Sequence, residues 1–146
     1  MRLSVTNGGT MELMPSGSVY PHFQVMSNEL STPKILLCPH DDKRIYATNF
    51  AIGLTDTNIS YFVNMDAINR DGSSLLFGDR NITNKARAGG RLVPVTKADS
   101  IGWTRELHSW KGHLGFADGS VSSFSNGNLG GAIKIGDATT NWLAVP

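Results

Sequence analysis

Between Leu114 and Phe124, apolar and small side chains alternate on either side of Asp118-Gly119. Asp-Gly between two alternating runs is a strong hairpin signal, because a two-residue type I′ turn needs φ > 0 at both central positions. With Asp118-Gly119 as the loop, Ala117 faces Ser120, Phe116 faces Val121 and Leu114 faces Ser123. That register puts Phe116, Val121 and Leu114 on one face, and Gly115, Ala117, Ser120 and Ser122 on the other. A slip of one residue would turn Phe116 outward, which disfavours the alternative.

The rest of the pattern is shorter-ranged. Ile59 to Val63 is rich in β-formers and predicts a central strand. The polar stretch Asn69 to Ser73 predicts a turn, with Ser74 to Gly78 returning as the partner strand. Arg91 to Val95 is β-like, but Pro94 cannot donate to a ladder, so an edge strand is expected. Leu143 to Val145 closes the chain as a last strand. Thr10 to Met14 alternates weakly and predicts a short strand before a turn at Pro15-Ser16-Gly17. From His22 to Leu30 the spacing of Phe23, Val25, Met26 and Leu30 fits a short amphipathic helix. Ser31-Thr32-Pro33 ends it, because the residue before proline is pushed out of the helical region. Lys34 to Cys38 predicts a short buried strand. Asn84 to Gly90 predicts a loop, and Ser125 to Gly136 a helix weakened by Gly127, Gly130 and Gly131. The sum is one α+β domain over residues 1–146, an antiparallel sheet with few short helices.

Composition supports this class. Charged residues are 17% of the chain and glycines number 16, which suits a turn-rich β or α+β domain better than a helical bundle. Thirteen basic and twelve acidic residues nearly cancel, leaving no electrostatic case for nucleic acid. No apolar run approaches the roughly 18 residues of a membrane span, and the polar residues after Arg2 do not form a secretory signal. Cys38 is the single cysteine. It allows no intrachain disulfide and is expected as a buried small hydrophobe.

Candidate chemistry is sparse. The histidines are His22, His40, His108 and His113, without the spacing of a metal motif. On a hairpin His113 and Asp118 do not converge, so a metal site would need His108 to fold back or a ligand from elsewhere. The expectation is no metal, with His108 locking the loop Ser109 to Gly112 through hydrogen bonds. Neither a nucleophile elbow nor a phosphate loop is present, so no catalytic residue is nominated and the chain is not expected to be an enzyme. Asp79 and Arg80 end a strand. Arg80 is expected to pin a loop through a bidentate pair and Asp79 to cap a turn. Asp41-Asp42 offers oxygen ligands for Ca²⁺, weighed against the preferred reading, a solvated loop paired with Lys43 or Arg44. Trp103 and Trp110 are candidate ligand-binding platforms, weighed against the preferred reading of tryptophans plugging a small core.

His108, nine residues and Asp118-Gly119 form a C-terminal signature, with Phe116-Ala117 before the Asp-Gly pair and Ser120-Val121 after it. Ser31 to Pro39, Ile59 to Phe62, Leu75 to Asn81 and Thr140 to Pro146 accompany it in order. Together these segments resemble bacterial prepilin-like proteins related to type II secretion pseudopilins. The resemblance implies a structural assembly protein acting in protein transport, with His108, Asp118, Gly119, Gly78, Asp79 and Arg80 as structural motif residues. It also implies an N-terminal helix, absent from this chain, that anchors the protein in the inner membrane and places the head in the periplasm or outside. Partners would be other pilin-like subunits or secretion-system components, and further copies of the chain. The alternative reading is a secreted carbohydrate- or ligand-binding β module.

Overall fold

The computed structural model describes residues 3–67, 71–85, 90–133 and 140–146. It is α+β, as expected from the pattern. Among the described residues eight strands form an antiparallel sheet of six and a sheet of two. They are β1 (Tyr61–Asn64), β2 (Leu75–Asp79), β3 (Ile82–Asn84), β4 (Leu92–Val95), β5 (Ile101–Trp103), β6 (Lys111–Phe116), β7 (Val121–Ser125) and β8 (Asn141–Ala144). The large sheet runs β4-β8-β1-β2-β6-β7 and the small one pairs β3 with β5. Three short helices, α1 (Tyr20–Gln24), α2 (Ser27–Leu30) and α3 (Leu129–Ala132), accompany several 3₁₀ turns.

Of the strand expected over Ile59–Val63, Tyr61–Asn64 forms β1 near the centre of the sheet, while Ile59 and Ser60 precede it outside the strand. Leu92–Val95 lies at the edge, where Pro94 needs no donor. Two predicted strands are instead 3₁₀ turns, Met11–Ser16 and Pro33–Leu36. Pro33 opens its turn, where its fixed φ suits a helical start, and Pro15 lies near the end of the other; neither can donate to a ladder. The predicted helix over His22–Leu30 is two helices, α1 and α2, and it ends before Pro33 with Ser31 at φ 60. Asn69 and Arg70 of the predicted turn, 86–89 of the predicted loop and 134–136 of the predicted helix lie outside the described residues.

The 114–124 hairpin is present, but its register differs from the expected one. Gly115 pairs with Val121 and Leu114 with Ser122, while the Phe116 N–H donates to the Ser120 carbonyl at 2.9 Å. The loop is therefore Ala117-Asp118-Gly119, and only Gly119 takes a positive φ, at 84°. A three-residue loop with glycine at the left-handed position is the next most common hairpin connection. Phe116 stays on the core side and meets Phe124 edge-on, ring centroids 6.3 Å apart. Val121 is the side chain that turns outward, and it is 58% exposed. The extra residue in the loop is the physical reason.

Apolar side chains pack on both faces of the large sheet. On one face Phe62, Leu114 and Leu143 meet the small sheet through Ile82, Ile101 and Trp103, with Leu129 of α3. Here Gly78 is flanked by Phe62 and Leu114; a Cβ on it would lie 2.6 Å from the Phe62 ring and 2.7 Å from Leu114. On the other face Val63 and Ala144 join Val19, Leu36, Leu54 and Ile59. These come from the N-terminal 3₁₀ turns, helices and loops, which cover the half of the face nearest β4, β8 and β1.

Candidate functional site

Across the second face one row of positions spans all six strands: Leu92, Ala144, Val63, Phe77, Gly115 and Val121. The N-terminal elements cover its first half. Beyond Val63 the row opens into a groove of about 780 Å³. The ring of Phe77 covers Gly115, where a Cβ would come within 2.4 Å of it, and meets Tyr61 edge-on at 6.3 Å. The walls are Leu3, Gly8 and Gly9 of the N-terminal segment with Val25, Met26 and Ile35. Leu3, Val25, Met26, Ile35, Phe77 and Val121 are all exposed. Six large apolar side chains around one groove form a patch of the kind that marks a binding surface. A smaller depression of about 410 Å³ beside Gln24, Pro33 and Phe50 carries no titratable group.

One end of the groove is polar. Asp79 ends β2 on the same face as Phe77, and His113 on β6 is its cross-strand neighbour. Asp79 Oδ2 accepts from the His113 backbone N–H at 2.7 Å and lies 3.0 Å from His113 Nδ1. His108 folds back over them, with Nε2 3.6 Å from Asp79 Oδ2 and its ring edge-on to His113 at 5.1 Å. The three residues offer ligand atoms all within 4.8 Å of one another. His40 stacks on His108 at 5.4 Å, and Cys38 Sγ lies 3.5 Å from His108 Nε2. Burial pushes the Cys38 thiol up, and the charges of Asp79 and Asp41 add to this. Burial, with Cys38, Asp79 and Asp41 nearby, likewise pushes the Tyr61 phenol to about 12.

The loop carrying His108 is held from behind. Nδ2 of Asn81 contacts the carbonyls of Thr104, Leu107 and Lys111 at 3.0, 3.0 and 3.2 Å, and Leu107 is fully buried. His108, Ser109 and Trp110 all take positive φ, at 48°, 50° and 69°. Three consecutive non-glycine residues in that region persist only where the surroundings over-determine them. Arg80 supplies a further clamp. Its Nε and Nη2 donate to the two carboxylate oxygens of Asp41, each at 2.7 Å, and Nη1 donates to Glu106 at 2.7 Å. Glu106 also accepts from Lys43 at 2.6 Å.

The expected bidentate role of Arg80 is therefore present. Asp41 is not solvated, however: it is buried, accepts from Ser60 Oγ at 2.8 Å and is neutralised by Arg80 rather than by Arg44. Burial by itself would raise its carboxyl, but the hydrogen bonds from Arg80 and Ser60 outweigh that and hold it below the usual range. This leaves the Asp41-Asp42 pair without a free Asp41 carboxylate for Ca²⁺. Asp79 does not cap a turn; it faces the two histidines. His108 reaches beyond its own loop to Asp79 and Cys38. Trp103 is 1% exposed and lies against Gly112 as a core plug, whereas Trp110 is 54% exposed. Only Trp110 of the two candidate platforms is at the surface.

The two ends of the His108–Asp118-Gly119 signature lie at opposite ends of β6, a strand six residues long. The Ala117 N–H donates to the Ser74 carbonyl at 2.9 Å and the Asp118 N–H to that of Gly72 at 3.0 Å, docking the hairpin loop on the turn before β2. The signature fixes both ends of one strand. Asp79 as the partner of His108 and His113 is not signalled by any sequence spacing; the one usable clue is its place at a strand end. No protein-family model, curated protein or solved structure matches the chain.

Proposed function

We propose that the chain is the globular head of a pilin-like assembly subunit, whose half-open sheet face is covered by an apolar N-terminal helix. The observation that carries this reading is the groove over Phe77, Gly115 and Val121. A soluble domain rarely leaves six large apolar side chains around one trough unless something occupies it. The trough is floored by a sheet and flanked by the N-terminal segment through Leu3, Gly8 and Gly9, so a helix preceding that segment would enter along its wall. Packing a helix there would give the sheet a second complete layer, the usual solution for a sheet with two apolar faces. The helix would anchor the subunit and drive assembly. The head would contribute lateral contacts and surface specificity.

The test is the reading frame upstream of Met1 in the source DNA, followed by expression of the extended chain. A short basic leader, a glycine-ended cleavage site and about 20 apolar residues are expected. In the extended protein Met26 should then oxidise more slowly than in the 146-residue chain. A frame that opens at Met1, or with a cleavable secretory signal, removes the helix and overturns the reading.

A further inference from the structure

We propose that Asp79, His108 and His113 bind one divalent transition-metal ion of the zinc type, with the remaining coordination position facing the groove. The donor set is right for such an ion, two imidazoles and a carboxylate, and zinc sites with three protein ligands keep a fourth position open. The spacing agrees. Ligand atoms about 2.0–2.1 Å from a tetrahedral zinc are about 3.3 Å from one another. The Asp79 Oδ2–His113 Nδ1 and Asp79 Oδ2–His108 Nε2 separations, 3.0 and 3.6 Å, bracket that value.

Charge gives an independent reason. The Asp79 side chain is 3% exposed, and a buried carboxylate is normally paired with a cation or bound to a metal. Its sequence neighbour Arg80 points away, to Asp41 and Glu106. Among the described residues no lysine or arginine forms an ion pair with Asp79, and its partners are the two histidines and one backbone N–H. A bound dication would supply the missing positive charge.

The scaffold gives a third. Asp79 and His113 sit on adjacent paired strands, so their separation is fixed by the sheet. His108 arrives on a segment held at three successive positive φ values by Asn81 and the buried Leu107. Backbone held in such sparsely populated regions concentrates at ligand clamps. The groups behind the ligands are also in place: the His113 N–H orients the Asp79 carboxylate, and His40 supports the His108 ring. Orienting contacts of this kind are what tune metal ligands.

The experiment is calorimetric titration of Zn²⁺ into the chelator-treated full chain, made without a polyhistidine tag, with imidazole ¹⁵N shifts followed in parallel. One equivalent should bind, moving the shifts of His108 and His113 while those of His22 stay put. His113 is half-exposed, so His113→Ala should fold normally and lower the affinity at least about tenfold. Asp79→Asn should do the same, but its burial makes His113→Ala the deciding variant. Absence of saturable binding up to about 1 mM Zn²⁺ would overturn the proposal. So would one-to-one binding that His113→Ala leaves unchanged, because the ion would then sit elsewhere.

Discussion

Arg80 and Asp41, 39 residues apart, are joined by two parallel hydrogen bonds of 2.7 Å, with both side chains buried. This pair ties the loop after Cys38 to the end of β2, directly behind Asp79. Removing one member of a buried pair strands the other charge, which typically costs about 3–5 kcal/mol. Arg80→Met should therefore destabilise strongly in urea unfolding at neutral pH. Arg80→Met combined with Asp41→Leu should cost less than the sum of the single changes. A strictly additive double variant would show that the two side chains are not coupled. The pair also sets a pH dependence. The Asp41 carboxyl is held below its ordinary range in the folded state, so its stabilisation is complete above about pH 4 and disappears as the pH falls through the lower folded value. Melting temperature should fall on acidification in that window, and less steeply in the double variant.

His22 provides a second pH dependence in a different window. It is buried, its Nδ1 lies 2.7 Å from Thr10 Oγ1, and its Nε2 has no partner among the described residues. Burial lowers its affinity for a proton, opposed by the charge of Asp56. The unfolded chain therefore takes up this proton first. Stability is complete above about pH 6.5 and declines as the pH drops below it, through the lowered folded value. His22→Gln should flatten the melting-temperature profile between about pH 7 and pH 5. An unchanged slope in that variant would assign the effect to other groups.

The three-residue hairpin loop predicts unequal effects of substitution at its two signature residues. Gly119 holds φ at 84° with open space around it. A β-branched residue there would be penalised in backbone conformation rather than in packing. Gly119→Val should cost about 1–3 kcal/mol. Asp118→Ala removes the acceptor for the Ser120 N–H at 2.9 Å on a fully exposed turn and should cost less than Gly119→Val. Thermal melting of both variants checks the order; a larger loss in Asp118→Ala would contradict this loop.

Gly78 is constrained by packing instead of dihedral angle. A methyl group there would meet Phe62 and Leu114, both buried, so Gly78→Ala should destabilise by about 1–3 kcal/mol through overpacking. Gly127→Ala, where the nearest atom lies 3.9 Å away, should leave the melting temperature nearly unchanged. Equal effects at the two positions would show that the sheet face near Phe62 can relax.

Several parts of the molecule are legible in the residues alone. The β-formers Tyr61 to Val63 mark a strand that is present, Pro94 confines its strand to an edge, and Pro33 ends the helical stretch. Arg80 is readable as a pin because guanidinium geometry favours carboxylates, though its partner is not. Short apolar runs are less legible. Met11–Ser16 and Pro33–Leu36 hold too few residues for a period of two to be separated from one of three.

The chain by itself determined the extended runs that became β1, β2 and β4 and the presence of the hairpin around Gly119, because those choices rest on local sterics and hydrophobic spacing. The register of the 114–124 hairpin was decided by the tertiary structure, where docking of Ala117 and Asp118 on the turn before β2 accompanies a loop of three residues rather than two. The burial of Asp41 and Trp103 depended in the same way on what packs over them. The meeting of Asp79, His108 and His113 joins a strand end, a strained loop and a neighbouring strand. No one-dimensional spacing encodes that encounter, because strand pairing and the path of the 104–110 loop bring the three side chains together.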